Sequence, residues 1–348
     1  MQPMRIADRV LMQGGRTYVI AEVSANHNQS FERAVSIVQA ARDAGADAVK
    51  FQTYTADTIT LDSDKGYFRL EGTLWDGMTL HSLYRQAYTP WEWFAGLKDE
   101  VESLGMDFLS SPFDSTAVDL LDSIGVAAFK IASPEIIDIP LLEAIGKTRR
   151  PVIASTGMAT VAEIEEAVRT LREAGTRDLL LLKCTSAYPA PPEEMNLRTI
   201  PHIASTFGVP VGISDHSMGH EVALAAVSLG ACAIEKHFTL ARSDGGPDSG
   251  FSMEPAEFRA MVDAVRLIES ALGEVRYGPM PSESVSHVHR RSLFVVADVR
   301  AGELITERNV RSIRPGHGLH TRHLNDVLGK RARRDVEKGT PLEWDMIE

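Results

Sequence analysis

The feature that most constrains this sequence is an alternation repeated eight times: a short apolar run, a break into polar or charged residues, then a stretch of helical character. The apolar runs fall at residues 18–23, 48–52, 106–109, 127–131, 151–154, 179–183, 210–213 and 231–235. Between them, segments such as 31–44, 91–104, 160–174 and 219–229 carry apolar residues at helical spacing. Several close on glycine, as in Ala44-Gly45, Leu104-Gly105, Ala174-Gly175 and Leu229-Gly230, because glycine takes the left-handed conformation that ends a helix without strain. A last helix is expected near 255–272. Eight strand-helix units over about 260 residues predict an α/β fold, a (β/α)8 TIM barrel.

The ends of the runs carry chemistry. They read Glu22-Val-Ser-Ala-Asn-His27, Lys50-Phe-Gln52, Ser110-Ser-Pro-Phe-Asp114, Lys130-Ile-Ala-Ser-Pro-Glu135, Ser155-Thr-Gly157, Lys183-Cys-Thr-Ser-Ala-Tyr188, Ser214-Asp-His216 and Glu235-Lys-His237. In a barrel all eight ends share one mouth, where active sites are built. Ordinary polar loops would explain one or two such ends, but not eight.

The stretch 54–90 interrupts the repeat and is too long for a plain connection. It is expected to fold over the mouth and cover a substrate. Trp91 and Trp93, at its end, either anchor the following helix or contact a sugar. After the last helix, the Gly/Pro/Ser-rich Gly278-Pro-Met-Pro-Ser-Glu-Ser284 reads as a linker. Beyond it Asp298-Val-Arg-Ala-Gly302 is echoed by Asp335-Val-Glu-Lys-Gly339, two similar turns between short extended pieces, which suggests a small, mostly irregular β domain.

Charge divides the chain in the same place. The whole carries −12, yet residues 285–348 hold 12 Lys/Arg against 9 Asp/Glu, leaving −15 on the rest. A nucleic-acid partner is disfavoured, because a phosphate backbone wants a basic face, whereas a basic tail beside an acidic body suggests two domains that attract. No apolar run approaches the roughly 18 to 20 residues of a membrane span, and no secretory leader pattern opens the sequence, so the expected location is the cytoplasm. Cys184 and Cys232 lie in apolar runs without metal-type spacing and read as buried thiols.

His216 and His237 end consecutive strands, where two imidazoles can converge on a divalent metal with open coordination positions. Glu235 shares a strand face with His237 and could orient a ligand or support the metal, while Lys236 points the other way. Lys50 and Lys130 place positive charge at the mouth of an acidic domain, which suits a small ligand bearing phosphate and carboxylate. Ser111, Ser133, Ser155 and Ser186 offer hydroxyls to the same anion, although each taken singly reads as a turn residue. Glu22 and Glu135 are carboxylates suited to binding hydroxyls and moving protons, with a surface salt bridge as the plainer alternative.

Four of these stretches together, Ile20-Ala-Glu22-Val-Ser-Ala-Asn26-His27, Val49-Lys50-Phe-Gln52, Ser214-Asp-His216 and Ile234-Glu-Lys-His237-Phe, resemble the sialic acid synthase family, over nearly the whole chain. Arg291-Ser-Leu-Phe through Ile313-Arg314-Pro-Gly to Leu328-Gly-Lys330 resembles the antifreeze-like (SAF, β-clip) domain of that family. The resemblance implies a catalytic barrel over 1–277, a linker over 278–289 and a SAF domain over 290–348. Within the family, Ala87-Tyr-Thr-Pro-Trp-Glu-Trp93, Lys183-Cys-Thr-Ser-Ala-Tyr-Pro189 and Ser243-Asp-Gly-Gly-Pro-Asp248-Ser-Gly-Phe-Ser-Met-Glu254 resemble the pseudaminic acid synthase branch. Ser249 stands where N-acetylneuraminate and legionaminate synthases usually have histidine, and Ser186 where N-acetylneuraminate synthases tend to have asparagine.

The resemblance further implies that Lys50, Ser111, Lys130, Ser133, Ser155 and Ser186 hold phosphoenolpyruvate, and that His216 and His237 hold Mn²⁺, or Mg²⁺ or Co²⁺. It assigns sugar contacts to Glu22, Gln52, Glu135, Tyr188 and Asp248, with Phe251 as an apolar neighbour for a sugar methyl. Arg314 is expected to reach into the barrel of a partner subunit, in a domain-swapped homodimer. The implied reaction condenses phosphoenolpyruvate with 2,4-diacetamido-2,4,6-trideoxy-L-altrose, with Glu22, Lys50, Lys130, His216 and His237 as catalytic residues. The alternatives are a legionaminic or N-acetylneuraminic acid synthase, a metal-dependent barrel hydrolase and a non-catalytic carbohydrate-binding protein.

Overall fold

A computed structural model describes residues 2–72 and 74–348 and places them in two compact units, one running to Gly273 and the other Glu274–Glu348. In the first unit two short strands, β1 (Met4–Ile6) and β2 (Arg9–Leu11), form an antiparallel hairpin. Eight parallel strands follow: β3 (Tyr18–Glu22), β4 (Ala48–Thr53), β5 (Asp107–Pro112), β6 (Ala128–Ile131), β7 (Val152–Ser155), β8 (Leu179–Cys184), β9 (Val211–Asp215) and β10 (Ala233–His237). They close into a barrel in sequence order, β10 pairing β3. The helices that follow the eight strands in turn are α1 (Phe31–Asp43), α4 (Phe94–Ser103), α5 (Ser115–Ile124), α6 (Ile139–Lys147), α7 (Val161–Ala174), α8 (Thr199–Phe207), α9 (Glu221–Ser228) and α10 (Pro255–Leu272).

The eight apolar runs are therefore the eight strands. Most continue one to three residues beyond the apolar run: Ser110, Ser111 and Pro112 stay in the ladder opposite Phe51, Gln52 and Thr53. Ladder bonds come from the backbone and are indifferent to a polar side chain, so the polar ends remain extended and are presented from a rigid frame. Helix starts are fixed locally. Ser30 accepts from Arg33 N–H at α1, and Thr160 with Glu163 forms a reciprocal capping box at α7.

Side-chain parity sorts the barrel into three regions. Outward positions such as Val19, Val49, Phe51, Phe108 and Phe129 pack against the helices. Inward positions are apolar in the lower half, where Tyr18, Ile20, Ala48, Leu109, Ala128, Ile153, Leu180 and Leu182 form one buried cluster. The same parity continued upward brings in Glu22, Lys50, Lys130, Ser155, Ser214 and Glu235, all buried. The hairpin β1–β2 adds Met4, Ile6 and Leu11 to the lower cluster and so closes the bottom. Three-residue strands are too short to show a sequence pattern, and this plug was not foreseen.

The 54–90 insertion contains α2 (Ala56–Ile59) and α3 (Leu80–Ala87). It reaches over the mouth as expected: the indole N–H of Trp75 donates to Pro247 O at 3.0 Å, joining it to the loop after β10. The tryptophans at its end are anchors. Trp91 donates to Tyr54 O at 3.2 Å, and Trp93 packs edge-on against His27 and Phe31.

The second unit holds α11 (Ser284–His287), an antiparallel pair β11 (Ser292–Val295) and β12 (Val310–Ile313), and α12 (Leu324–Val327). Isolated bridges extend the pairing, including Val299 with Val336 in the two echoed turns. A separate apolar cluster centred on Leu293, Val295, Val310, Val327 and Leu342 holds it together. The stretch read as a linker forms a short helical turn, Pro281–Glu283, leading into α11, and is exposed.

Candidate active site

Two lysines and two glutamates occupy the inward layer just below the mouth. Lys50 Nζ lies 2.7 Å from Glu22 Oε2 and 3.7 Å from Glu235 Oε1, while Lys130 Nζ lies 3.6 Å from Glu235 Oε2. All four side chains are almost wholly buried, where unpaired charge would be prohibitive. Strand register explains the set, since Glu22 is paired with Lys50 on one side and His237 on the other. Glu235, read as able to orient a ligand or support the metal, has its close contacts with the lysines and with Ser214. It sits between the lysines and accepts from Ser214 Oγ at 3.2 Å.

The environment drives the two carboxyls apart. Burial pushes Glu22 up, opposed by Lys50 and reinforced by the charge of Glu235. Glu235 is also raised by burial, but Lys130 and Lys50 outweigh that and hold it below the usual range. Burial pulls both lysines down; for Lys50 the carboxylates of Glu22 and Glu235 more than compensate, whereas Lys130 stays lowered. Glu235 thus remains the fixed counter-charge, and Glu22 is the group better disposed to take a proton.

Hydroxyls surround the lysines. Lys130 Nζ donates to Ser155 Oγ at 2.8 Å, and Lys50 Nζ to Ser111 Oγ at 3.4 Å. Gly157 N–H donates to Ser133 Oγ at 3.1 Å. A methyl at Gly157 would run into both the Ser186 and Ser133 hydroxyls, so the absence of a side chain there keeps a small cradle open between three strand ends. The serines that read singly as turn residues are brought to one place.

His216 and His237 stand next to this cradle with ring centres 5.3 Å apart. His216 Nδ1 lies 3.0 Å from Thr185 O; a carbonyl only accepts, so that nitrogen carries a proton and Nε2 is the one left to face a metal. Burial pulls the ring down, but Cys184 and Thr185 outweigh it and hold it above the usual histidine range. His237 Nδ1 is buried without a hydrogen-bond partner among the described residues, and burial with the nearby positive groups holds the ring well below the usual histidine range, hence neutral. His237 as a neutral imidazole, and His216 once its Nε2 gives up a proton, offer lone pairs that fit a divalent ion. Among the described residues no group of three or more His, Cys, Asp or Glu could hold one, so the fit rests on this pair of imidazoles.

Behind the histidines, on the outward face, Lys236 Nζ pairs with Asp215 Oδ2 at 2.7 Å and donates to Ser217 O at 2.7 Å. Asp215 Oδ1 accepts from Ser217 N–H and Oγ. The two strand ends that carry the histidines are thereby tied together. Sequence parity had separated Lys236 from the site without finding its partner.

Beside His237 opens a cavity of about 270 Å³. Its polar side includes Gln52, Ser24, Asp248 and His237. Gln52 Nε2 donates to Glu22 Oε1 and to Ser24 Oγ, both at 2.9 Å, and Ser24 in turn donates to Asp248 Oδ2. Ser24 was missed, although it lies within the polar stretch that ends β3. Tyr188 closes one wall, its ring 4.4 Å from His216 and 5.2 Å from Phe251. Glu135 lies after β6 with Oε2 buried and without a hydrogen-bond partner among the described residues, and burial raises its carboxyl to about 7; a surface salt bridge is not what it makes there. Arg314 belongs to the second unit, exposed just after β12.

Two parts of the chain match family models: residues 37–277 the NeuB family and residues 290–348 the SAF domain. The chain belongs to the NeuB family. Pseudaminic acid synthase of Campylobacter jejuni subsp. jejuni is 44% identical over 94% of this chain and 96% of its own length. Pseudaminic acid synthase of Helicobacter pylori is 42% identical over 95% and 97%. The solved structure of N-acetylneuraminic acid (sialic acid) synthetase from Leptospira borgpetersenii superposes with a TM-score of 0.73 at 32% identity, covering 82% of this chain and 95% of that one. This NeuB-family chain is accordingly a sialic-acid-type synthase, a carbon-carbon bond-forming transferase.

Proposed function

We propose that this chain condenses phosphoenolpyruvate with 2,4-diacetamido-2,4,6-trideoxy-L-altrose, giving pseudaminic acid and phosphate, in the cytoplasm. The observation that carries the reading is the adjacency of an anion cradle, built from Lys50, Lys130 and the serine hydroxyls, to a sugar-sized cavity whose floor holds Gln52, Asp248 and His237. The two pseudaminic acid synthases and the Asp248-Ser249 pair support the altrose acceptor.

In this mechanism Lys50, Ser111, Lys130, Ser133, Ser155 and Ser186 hold the phosphate and carboxylate of phosphoenolpyruvate, while Gln52, Glu135, Tyr188 and Asp248 hold the open-chain sugar. C3 of phosphoenolpyruvate bonds to the aldehyde carbon, whose oxygen takes up the displaced electron pair and a proton. Positive charge appears at C2. Water adds there and gives a proton to Glu22; the C2 hydroxyl oxygen then closes to the ketone as phosphate leaves with the electrons of the broken carbon-oxygen bond and takes up the hydroxyl proton. The lysines stabilise the anionic groups throughout, in a site that needs no reorganisation. His216 and His237 would hold Mn²⁺ or a similar ion, which when bound supplies Lewis-acid polarisation of the aldehyde oxygen. Arg314 completes the acceptor site from the partner subunit in a domain-swapped homodimer.

Phosphate release from phosphoenolpyruvate with Mn²⁺ tests the proposal, comparing the altrose sugar with N-acetylmannosamine and the legionaminic precursor. Release with the altrose sugar alone is expected. Preference for another sugar would keep the chemistry and overturn the acceptor, and no release with any would overturn the condensation.

A further inference from the structure

We propose that the 54–90 insertion is the selectivity element of this site, its helix α3 forming an apolar roof that receives the methyl groups of a 6-deoxy, 4-acetamido sugar. The inference rests on the acceptor class proposed above and adds which residues choose it.

The cavity beside His237 has two unlike faces. Its polar lining, Ser24, Gln52, His237 and Asp248, comes from strand ends and the loops after them, whereas Leu70, Trp75, Leu80, Leu83 and Tyr84 come from the insertion. In α3 the apolar residues Leu80, Leu83, Tyr84 and Ala87 recur at positions i, i+3, i+4 and i+7, one face of a helix. All four line the cavity. Leu80 and Tyr84 are only half-buried by protein, so that face is completed by whatever occupies the cavity. Its placement is rigid: Thr79 and Ser82 form a capping box at the start of α3, and Tyr54 packs edge-on against Tyr84 at 5.5 Å and Phe113 at 5.1 Å.

The Leu80 and Leu83 stretch of this wall carries no hydrogen-bonding side chain and discriminates by what it cannot satisfy. A sugar methyl or acetamido methyl buries apolar surface there, while a hydroxyl at the same carbon loses water and gains no partner. N-acetylmannosamine carries hydroxyls at C4 and C6, where the deoxy sugar has an acetamido group and a methyl. Pockets of this kind separate such substrates by roughly 10- to 200-fold.

The experiment compares Leu80→Asn, Leu83→Asn and the conservative Leu80→Met with wild type. It reads kcat/KM for the altrose sugar relative to N-acetylmannosamine, with KM for phosphoenolpyruvate as an internal control. A polar roof should lower that ratio by about tenfold or more, leave the phosphoenolpyruvate KM in place, and spare Leu80→Met. An unchanged ratio in folded Leu80→Asn and Leu83→Asn, with wild type preferring the altrose sugar, would overturn the roof and leave the acceptor standing. Wild-type preference for N-acetylmannosamine would overturn both. Saturation-transfer NMR of the altrose sugar reads the contact without turnover. The C6 and 4-acetamido methyl protons should take up most saturation and lose it in Leu80→Asn, and uniform saturation around the sugar in wild type would refute the roof.

Discussion

Replacing Gly157 by alanine tests the anion cradle with a single methyl group. Gly157 is buried in the turn after β7, and its φ is not positive, so alanine brings no backbone strain. The new Cβ would, however, lie 2.7 Å from Ser133 Oγ and closer still to Ser186 Oγ. Both hydroxyls must swing out of the positions from which they would donate to a bound anion. A hydrogen bond to a charged group contributes about 1.5 to 3 kcal/mol, so loss of two costs about 3 kcal/mol at the low end. That corresponds to roughly 100-fold weaker phosphoenolpyruvate binding. Calorimetric titration of phosphoenolpyruvate, alongside KM at saturating sugar, measures it, and Ser133→Ala and Ser186→Ala should each show about a tenfold loss. Thermal stability should change little, because the serines have an open site into which to turn. A dissociation constant within about twofold of wild type in a folded Gly157→Ala protein would refute the cradle, since the displaced hydroxyls would then not be ligands.

His216→Ala and His237→Ala should each abolish metal-dependent turnover and weaken Mn²⁺ binding seen by EPR while leaving the circular dichroism spectrum intact; full activity in either would remove the metal assignment. Lys236→Met or Asp215→Leu alone strands a buried charge and should cost about 3 to 5 kcal/mol in urea denaturation. The double variant should recover most of it, and simple additivity of the two losses would argue against the pairing. Burial raises Glu135 from 4.5 to about 7, so between those values the folded state holds more proton than the unfolded chain. Its contribution to stability is full below the unfolded value and is lost as pH rises through about 7. The melting temperature of wild type should therefore fall relative to Glu135→Gln between about pH 5 and 8, and a rise would contradict the burial of that carboxyl.

Much of this architecture is legible because its governing period is local. Eight apolar runs with helical intervals specify a barrel, and the parity that turns Ile20 inward also turns Glu22 inward, one layer higher. Lys50, Lys130, His216 and His237 could thus be assigned to one mouth from sequence. Partners within that layer could not be assigned. Glu235 lies within reach of Lys50, Lys130 and Ser214, a set of partners that depends on side-chain directions fixed by the closed barrel. The insertion was recognised by its length, but the inward direction of Leu80 and Tyr84 depends on its tie through Trp75 to the 243–254 loop, a contact across 172 positions.

The sequence by itself determined which residues extend, which coil and which face each side chain takes, because backbone periodicity and capping act over a few neighbouring residues. Only the tertiary structure decided which charges neutralise one another, where glycine holds a cradle open between Ser133 and Ser186, and what closes the bottom of the barrel and covers its mouth. Those arrangements rest on contacts between distant segments, whose energies exist only once barrel closure has brought them together.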